Sequence, residues 1–309
     1  MARLTWLLPE LIGVTASAEA AYAVTRSRRD FLVAASALVA GSFLPLPGAA
    51  WAAEPDANTA LQVQRLAWAG VRLQLGKDNL LIDPLINPDV WGPSMKDAYI
   101  PVDVGEGAHF VLITHRHPDH FDPATVRKAL GDSGILVCEP DVAALATAAG
   151  FKTRIAPLYE PILLNDFTAT AVPASDGYGD PQVSWVVSGG GRRIIHCGDT
   201  LWHGSWWRIG RQLGPFDAAF LPINGARFAW RKPVSDIPAV LTPEQAVAAA
   251  VVIGARLVVP IHYGMVGAES YTEVADPEEL LLAAARKRNV DVEILRPGQW
   301  LNWQSRQLK

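Results

Sequence analysis

Thr114-His115-Arg116-His117-Pro118-Asp119-His120 directly follows Phe110-Val111-Leu112-Ile113, a short and wholly apolar run. Such a run, bounded by turn residues, reads as a strand buried on both faces. Three of the seven histidines fall within six residues, joined by an aspartate. The pattern H-x-H-x-D-H arises by chance in about two of ten thousand chains of this size, so a polar surface loop explains it poorly. Imidazole nitrogen and carboxylate oxygen are ligands suited to zinc, iron or manganese. A loop leaving the end of a buried strand can turn four such side chains toward one point. A tetrad this dense suits two adjacent cations better than one.

Outward from this segment, apolar or alternating runs at 61–68, 71–75 and 80–82 read as strands, separated by Gly70 and Gly76-Lys77-Asp78. Further strands are expected at 135–138, 167–172, 183–187, 193–196, 218–221 and 257–261. The stretch 89–106, with Pro93 and Pro101, reads as a long loop. Asp122-Pro123 opens a helix with a capping residue and proline at the first position. Thr242-Pro243-Glu244-Gln245 and Asp276-Pro277-Glu278-Glu279 open two more, each with Glu or Gln three residues after the cap. Strand groups with interspersed helices and no linker describe one α/β or α+β domain over 53–309. The 309 residues are 50% hydrophobic, enough for a large core. A net charge of −4 and the lack of a basic run disfavour nucleic-acid binding. Cys138 lies on an expected strand and Cys197 directly follows one; both read as free buried thiols. No G-x-S-x-G nucleophile motif is present.

Residues 1–52 read as a leader. Ser27-Arg28-Arg29-Asp30-Phe31-Leu32 precedes an Ala-rich apolar run over 31–44, then Pro45, Pro47 and Ala50-Trp51-Ala52. A charged start, an apolar stretch and an A-x-A site describe a secretory signal. The run falls short of the ~20 residues a spanning helix needs, so no stable membrane anchor is expected. The paired arginines resemble a twin-arginine signal. Cleavage near Ala52 and export to the periplasm or beyond, by the twin-arginine machinery, are the expectations.

The chain as a whole resembles the metallo-β-lactamase superfamily. The resemblance rests on H-x-H-x-D-H after an apolar strand, Leu81-Ile82-Asp83-Pro84, Gly198-Asp199-Thr200 and Pro260-Ile261-His262-Tyr263-Gly264. Gly214-Pro215-Phe216-Asp217, Leu221-Pro222-Ile223 and Pro243-Glu244-Gln245-Ala246-Val247 make it similar to the branch of L-ascorbate-phosphate lactonases and N-acylphosphatidylethanolamine phospholipases D. The resemblance implies a four-layer αβ/βα sandwich and two divalent metal ions, zinc first, with manganese or iron as alternatives. His115 and His117 then hold the first metal, and Asp119, His120 and His262 the second. Asp199 lies between them.

One position departs from the family. A histidine is expected on the first metal shortly after Val172-Pro173-Ala174-Ser175, where this chain has Asp176. Either Asp176 ligates through oxygen and favours a harder metal, or the first metal is weak, or His196 or His203 completes the site. Asp83 and His196 are expected beside the ligands, orienting them. Asn224, Tyr263 and the tryptophans Trp202, Trp206, Trp207 and Trp230 are candidates for a substrate wall, with core packing as the plainer account of the tryptophans.

The expected activity is metal-dependent hydrolysis. Two cations lower the pKa of a shared water toward ~7, supplying hydroxide to an ester, lactone or phosphodiester of a small-molecule or lipid-like substrate. Asp119 is the expected catalytic group, orienting the nucleophile and passing its proton. The alternatives are an iron-dependent oxidoreductase or dioxygenase on the same fold, and a non-catalytic binding protein with a decayed site.

Overall fold

The computed structural model describes residues 60–95, 99–265 and 270–303. The expected leader over 1–52 lies outside the described residues. The first sheet holds six strands in chain order: β1 (Gln62–Arg65), β2 (Val71–Leu75), β3 (Asp78–Ile82), β4 (Phe110–Leu112), β5 (Ile135–Cys138) and β6 (Thr153–Ile155). The first three form an antiparallel meander, and β3 to β6 run parallel. Helices α1 (Pro123–Leu130) and α2 (Pro140–Ala148) make two of the parallel crossovers.

The second sheet opens with the meander β7 (Pro161–Leu164), β8 (Phe167–Pro173), β9 (Val183–Gly189) and β10 (Arg192–His196). Helix α3 (Trp206–Leu213) leads to β11 (Ala218–Pro222), parallel to β10. Strand β12 (Arg227–Phe228) pairs outside the sheet with β14 (Tyr271–Thr272) in a two-stranded ribbon. Between them come α4 (Pro243–Ile253) and β13 (Leu257–Ile261), the latter parallel to β11. Helix α5 (Pro277–Arg288) and β15 (Asp291–Val292) close the sheet beside β13.

Side chains alternate across each strand, and the wholly apolar runs are apolar because both faces are covered. Leu80, Ile82, Phe110 and Leu112 of one sheet share an inner core with Val187, Phe220, Val259 and Ile261 of the other. Leu81, Val111 and Leu136 point the opposite way, into a core with Val126 and Leu130 of α1 and Val142 and Ala146 of α2. Ile195, Leu221 and Val258 do the same against Ile209, Ala246, Ala250 and Leu281 of α3, α4 and α5. Helices, sheet, sheet, helices: the fold is the four-layer α/β sandwich expected from the resemblance.

The Thr242 capping box forms, with its hydroxyl taking the Gln245 N–H and Gln245 reaching back. The box at Asp276 does not. Asp276 sits in the left-handed region at φ 51° and caps nothing with its side chain, whereas an N-cap needs extended backbone. The stretch 89–106, read as a long loop, begins inside a 3-10 run over Pro88–Met95. Helix α2 has no sequence cap of the usual kind; Glu139 takes the Val142 and Asp141 N–H groups instead. Cys138 and Cys197 are buried and unbridged. Among the described residues, no helix is long and apolar enough to cross a membrane.

Candidate metal centre

Strand direction explains why the chemistry collects in one place. Strands β3 and β4 are parallel, so Asp83 and the segment from Thr114 leave the same edge of the first sheet. Strand β8 is antiparallel to β9, which is antiparallel to β10, so β8 runs with β10, β11 and β13. Asp176, Asp199, Asn224 and His262 therefore leave one edge of the second sheet. Loops at the carboxyl ends of parallel strands are where α/β folds build their sites.

The ligand-type side chains sort into two groups, in each of which the donor atoms lie within 4.8 Å of one another: His115, His117, Asp176 and Asp199, and Asp119, His120 and His262. In the first, His115 Nε2 is 2.9 Å from His117 Nδ1 and 3.6 Å from Asp199 Oδ1. His117 Nδ1 is 3.6 Å from Asp176 Oδ1. The far nitrogen of His117, Nε2, meets Asp180 Oδ2 at 3.0 Å, and Arg116 holds the other Asp180 oxygen at 2.6 Å. Asp176 Oδ2 accepts the N–H groups of Tyr178 and Asp180, at 2.7 and 3.1 Å. Its loop thus fixes one oxygen and leaves the other turned toward His117.

In the second group, Asp119 Oδ2 is 3.3 Å from His120 Nε2 and 3.4 Å from His262 Nε2. Both histidines also approach Asp199 Oδ2, at 3.9 Å, so Asp199 turns one oxygen to each group. Asp83, buried at the end of β3, takes the Thr114 N–H at 2.8 Å, the Thr114 hydroxyl at 2.6 Å and His120 Nδ1 at 2.8 Å. This carboxylate fixes the His120 ring with Nε2 toward the group. The Asn224 side-chain amide stands 3.1 Å from His262 Nδ1 and 2.6 Å from the Tyr271 hydroxyl. The atom on that side is Asn224 Nδ2, which donates to the Tyr271 hydroxyl and meets His262 Nδ1, fixing the ring with Nε2 toward the group. Trp68 Nε1 donates to Asp119 Oδ2 at 2.9 Å, and its ring lies 4.2 Å from that of His262. Trp68, Asp83 and His262 all have positive φ, at 54°, 43° and 55°. Non-glycine residues hold that conformation at a cost of about 1–3 kcal/mol each, and only where surrounding contacts over-determine it.

The electrostatics are those of a place made for positive charge. Burial would push the His120 imidazole down, yet Asp119, Asp199 and Asp83 raise it well above its ordinary value. Asp119 resists burial in the opposite sense and lies well below the carboxylate range beside His120 and His262. Asp199 is held at about 2 by His115, His120 and His262, against its burial. Burial drives His115 to about 3. Asp176 is raised, first by burial and then by Asp199.

Three buried atoms in these groups lack a hydrogen-bond partner: His120 Nε2, His262 Nε2 and Asp176 Oδ1. An unmet buried polar atom costs about 1–3 kcal/mol. All three stand next to other donor atoms of their own group, where a divalent cation turns mutual exposure into bonds. The donors are nitrogen and oxygen, as zinc, iron or manganese take. The residues present fit metal ions.

Other expected residues stand elsewhere. His196 gives Nε2 to the Ala69 carbonyl at 2.7 Å and takes the Gly198 N–H on Nδ1 at 3.3 Å, so both nitrogens are engaged and neither completes the first group. It steadies the turn that carries Asp199. His203 accepts the Ser205 N–H and stacks on Trp206 at 4.2 Å, outside both groups. Asn224 is fully buried beside His262. The Tyr263 hydroxyl is tied between Arg65 and Glu278, at 3.1 and 2.7 Å. Trp206 is fully buried in the outer core; Trp202 lies 6.2 Å from it and 5.8 Å from Trp207, which is exposed. Of the four tryptophans considered, Trp230 alone joins the rings near the ligands, through Tyr178.

Four contributors had no sequence signal of their own. Trp68 reads as the end of a strand, and Asp180 as a loop residue. Thr114 bridges Asp83 to the ligand loop. Gln182 donates to Asp199 Oδ1 at 2.8 Å. Gly198 can be read in hindsight: a Cβ there meets Gln182 Nε2 at 2.8 Å and Thr114 Oγ1 at 3.0 Å, with φ at 57°.

A sandwich with two groups of histidine and aspartate at the strand ends defines a metal-dependent enzyme of the α/β class. The chain belongs to the family described as the beta-lactamase superfamily domain, which matches residues 78–263. It is a metal-dependent hydrolase of that superfamily. A UPF0173 metal-dependent hydrolase of Thermus thermophilus is 29% identical over 249 residues, covering 78% of this chain and 98% of that protein. A metallo hydrolase from Ignicoccus hospitalis has the same fold, at a TM-score of 0.60 and 19% identity over 78% of this chain and 97% of its own. So does CmlA, a diiron β-hydroxylase from Streptomyces venezuelae, at 0.61 and 16% identity over 81% of this chain and 55% of its own.

Proposed function

We propose that the chain hydrolyses an ester, lactone or phosphodiester, with His115, His117, Asp176 and Asp199 holding one divalent cation and Asp119, His120, His262 and Asp199 a second. The observation that carries this reading is the convergence of two donor groups on one carboxylate, Asp199, whose two oxygens face different groups. When bound, such ions lower the pKa of water toward ~7 and polarise a carbonyl or phosphoryl oxygen. Asp119 orients the nucleophile and accepts its proton; Trp68 anchors Oδ2, the oxygen that also faces His120 and His262. Asp83 and Asn224 hold the rings of His120 and His262 with Nε2 toward the ligands. Gln182 steadies Asp199.

Asp176 in place of histidine adds an oxygen donor to the first group, which favours manganese or iron there over zinc. The same observation supports a second reading, an iron oxidoreductase. Elemental analysis of the purified protein, with hydrolysis assays on aryl esters, lactones and phosphodiesters, separates them. One to two metal ions per chain with turnover of one of these classes supports the hydrolase. Iron with colour and oxygen uptake, and no hydrolysis, overturns it. We further propose export by the twin-arginine route, on Arg28-Arg29 ahead of a short apolar run. Replacing both arginines by lysine should hold the precursor in the cytoplasm; unchanged export of that variant overturns the proposal.

A further inference from the structure

The edge that carries the ligands continues past the first group. Strands β4, β5 and β6 run parallel. Glu139 after β5 and Ala156-Pro157-Leu158 after β6 therefore leave the first sheet on the same side as the histidine loop after β4. The connection from β8 to β9, residues 174–182, leaves the second sheet beside them. Between these segments lies a cleft of about 780 Å³, the size of a small-molecule site.

Part of its lining belongs to the metal centre. Asp176 is a ligand of the first group, Asp180 holds His117, and Gln182 donates to Asp199; all three line the cleft. The rest is mostly apolar, with Pro140, Ile155, Pro157 and Leu158 on the side of the first sheet and Pro181 and Val183 on the side of the second. Ile155 is 52% exposed and Leu158 48%. Aliphatic side chains left uncovered together beside a site mark a binding surface.

The charges in the cleft are already met. Glu139 takes two N–H groups of α2. Asp180 is held by Arg116 and His117, and one oxygen of Asp176 takes the Tyr178 and Asp180 N–H groups. Among the described residues, the lining contains no lysine, arginine or histidine, so an anionic group would lie beside carboxylates with no cation to meet it. It contains no aromatic ring either, so stacking has no platform there. The cleft offers aliphatic area, whose attraction for an occupant is non-directional and grows with the area covered.

We infer that this cleft is the subsite for an uncharged, flexible aliphatic chain of the substrate, an acyl or alkyl group laid over Ile155 and Leu158 with its reacting end at the ligand groups. The placing of the reacting end rests on the hydrolase reading; the chain subsite stands on the cleft alone.

The test uses acetohydroxamic and octanohydroxamic acids, whose shared headgroup chelates divalent metal ions, binding to the metal-loaded full chain by calorimetry. The octano compound is expected to bind at least about fiftyfold tighter, the effect of about three buried methylenes. Ile155→Ser and Leu158→Ser change exposed residues outside both ligand groups. Each should leave acetohydroxamate binding unchanged and cut the preference for the longer chain to below about tenfold. Equal binding of the two acids, no binding of the longer one, or an undiminished preference in both variants overturns the inference. So does light scattering that shows Leu158→Ser turning a dimer into a monomer, because the surface is then a contact between copies of the chain. Hydrolysis of 4-nitrophenyl acetate and 4-nitrophenyl octanoate is measured in parallel. A chain-length preference in binding with turnover of neither ester counts against the hydrolase reading and leaves the subsite standing. Equal kcat/KM on the two esters with equal hydroxamate binding does the reverse.

Discussion

The two donor groups share Asp199 but are built differently. Every member of the second group is buried and braced from behind: His120 by Asp83, His262 by Asn224, Asp119 by Trp68. Two of the bracing residues, Trp68 and Asp83, and one ligand, His262, sit in strained backbone. The first group is open on one side. His117 is half-buried, and its brace, Asp180, lies on a loop and shares its charge with the exposed Arg116. The difference suggests a rigid, high-affinity position beside a looser one whose metal content depends on a single short loop. Rigidity here comes from burial, since a hydrogen bond in a low-dielectric interior is stronger than the same bond at the surface.

The largest effect should follow from breaking the rigid group itself. His262→Ala is expected to lower kcat/KM by more than about 100-fold and to empty the second position, beyond the range seen for groups that only orient ligands. If metal content is unchanged, the division into two groups is wrong. Next comes the looser group. Asp176→Ala should cost about tenfold to hundredfold in activity and remove the first metal while the second stays. Asp176→His should instead shift preference toward zinc, read by competition between zinc and manganese. Retention of full metal and full rate in Asp176→Ala would make Asp176 a loop residue.

The braces give a finer contrast. Asp83→Asn should weaken the second metal by about tenfold or more, and Asp180→Asn should weaken the first by less, because Asp180 is half exposed. Equal effects would contradict the burial argument. Titrating the metal-stripped protein sharpens it further. The His120 pKa is raised in the fold, so its contribution to stability is complete below the ~6.5 of an unfolded histidine and is lost as pH climbs through the folded value. His115 and His203, lowered to about 3 and about 4, do the opposite. They stay neutral in the fold while the unfolded chain takes up protons below ~6.5, so acid destabilises. Tm of the stripped protein should therefore peak near neutrality, and added divalent metal should flatten the alkaline side. A Tm that keeps rising above pH 8 without metal would remove His120 as the stored proton. The smallest effect is expected at Tyr263→Phe, outside both groups. Loss of its bonds to Arg65 and Glu278 should cost about 1 kcal/mol of stability with kcat/KM unchanged.

Most of the scaffold was legible because the central strands are short apolar runs between turn residues, as at Phe110 to Ile113 and Leu257 to Ile261. The elements that escaped are those whose pattern is set by neighbours. Strands β6 and β7 lie at sheet edges with exposed faces, and α2 starts from a glutamate cap that propensity does not favour. The tryptophans after Asp199 misled for a related reason. Trp206 is large and apolar whether it packs in a core or lines a site, and only its position on α3 against α4 decides.

The sequence by itself determined which residue types carry the chemistry and in what order, because ligand atoms are a property of side chains and H-x-H-x-D-H is a local pattern. It also determined that the strands preceding them are buried, since only continuous apolar runs pack on both faces. Tertiary structure decided everything that depends on distance between segments far apart in the chain. It brought Asp176 rather than His196 or His203 to the first group, because the loop after β8 turns Asp176 Oδ1 toward His117 while both His196 nitrogens are bonded elsewhere and His203 stacks on Trp206. It set Trp68 on Asp119 across 51 residues, Asp83 on His120 across 37, and Asn224 on His262 across 38. Such contacts follow from strand order and sheet packing, which no window of sequence contains.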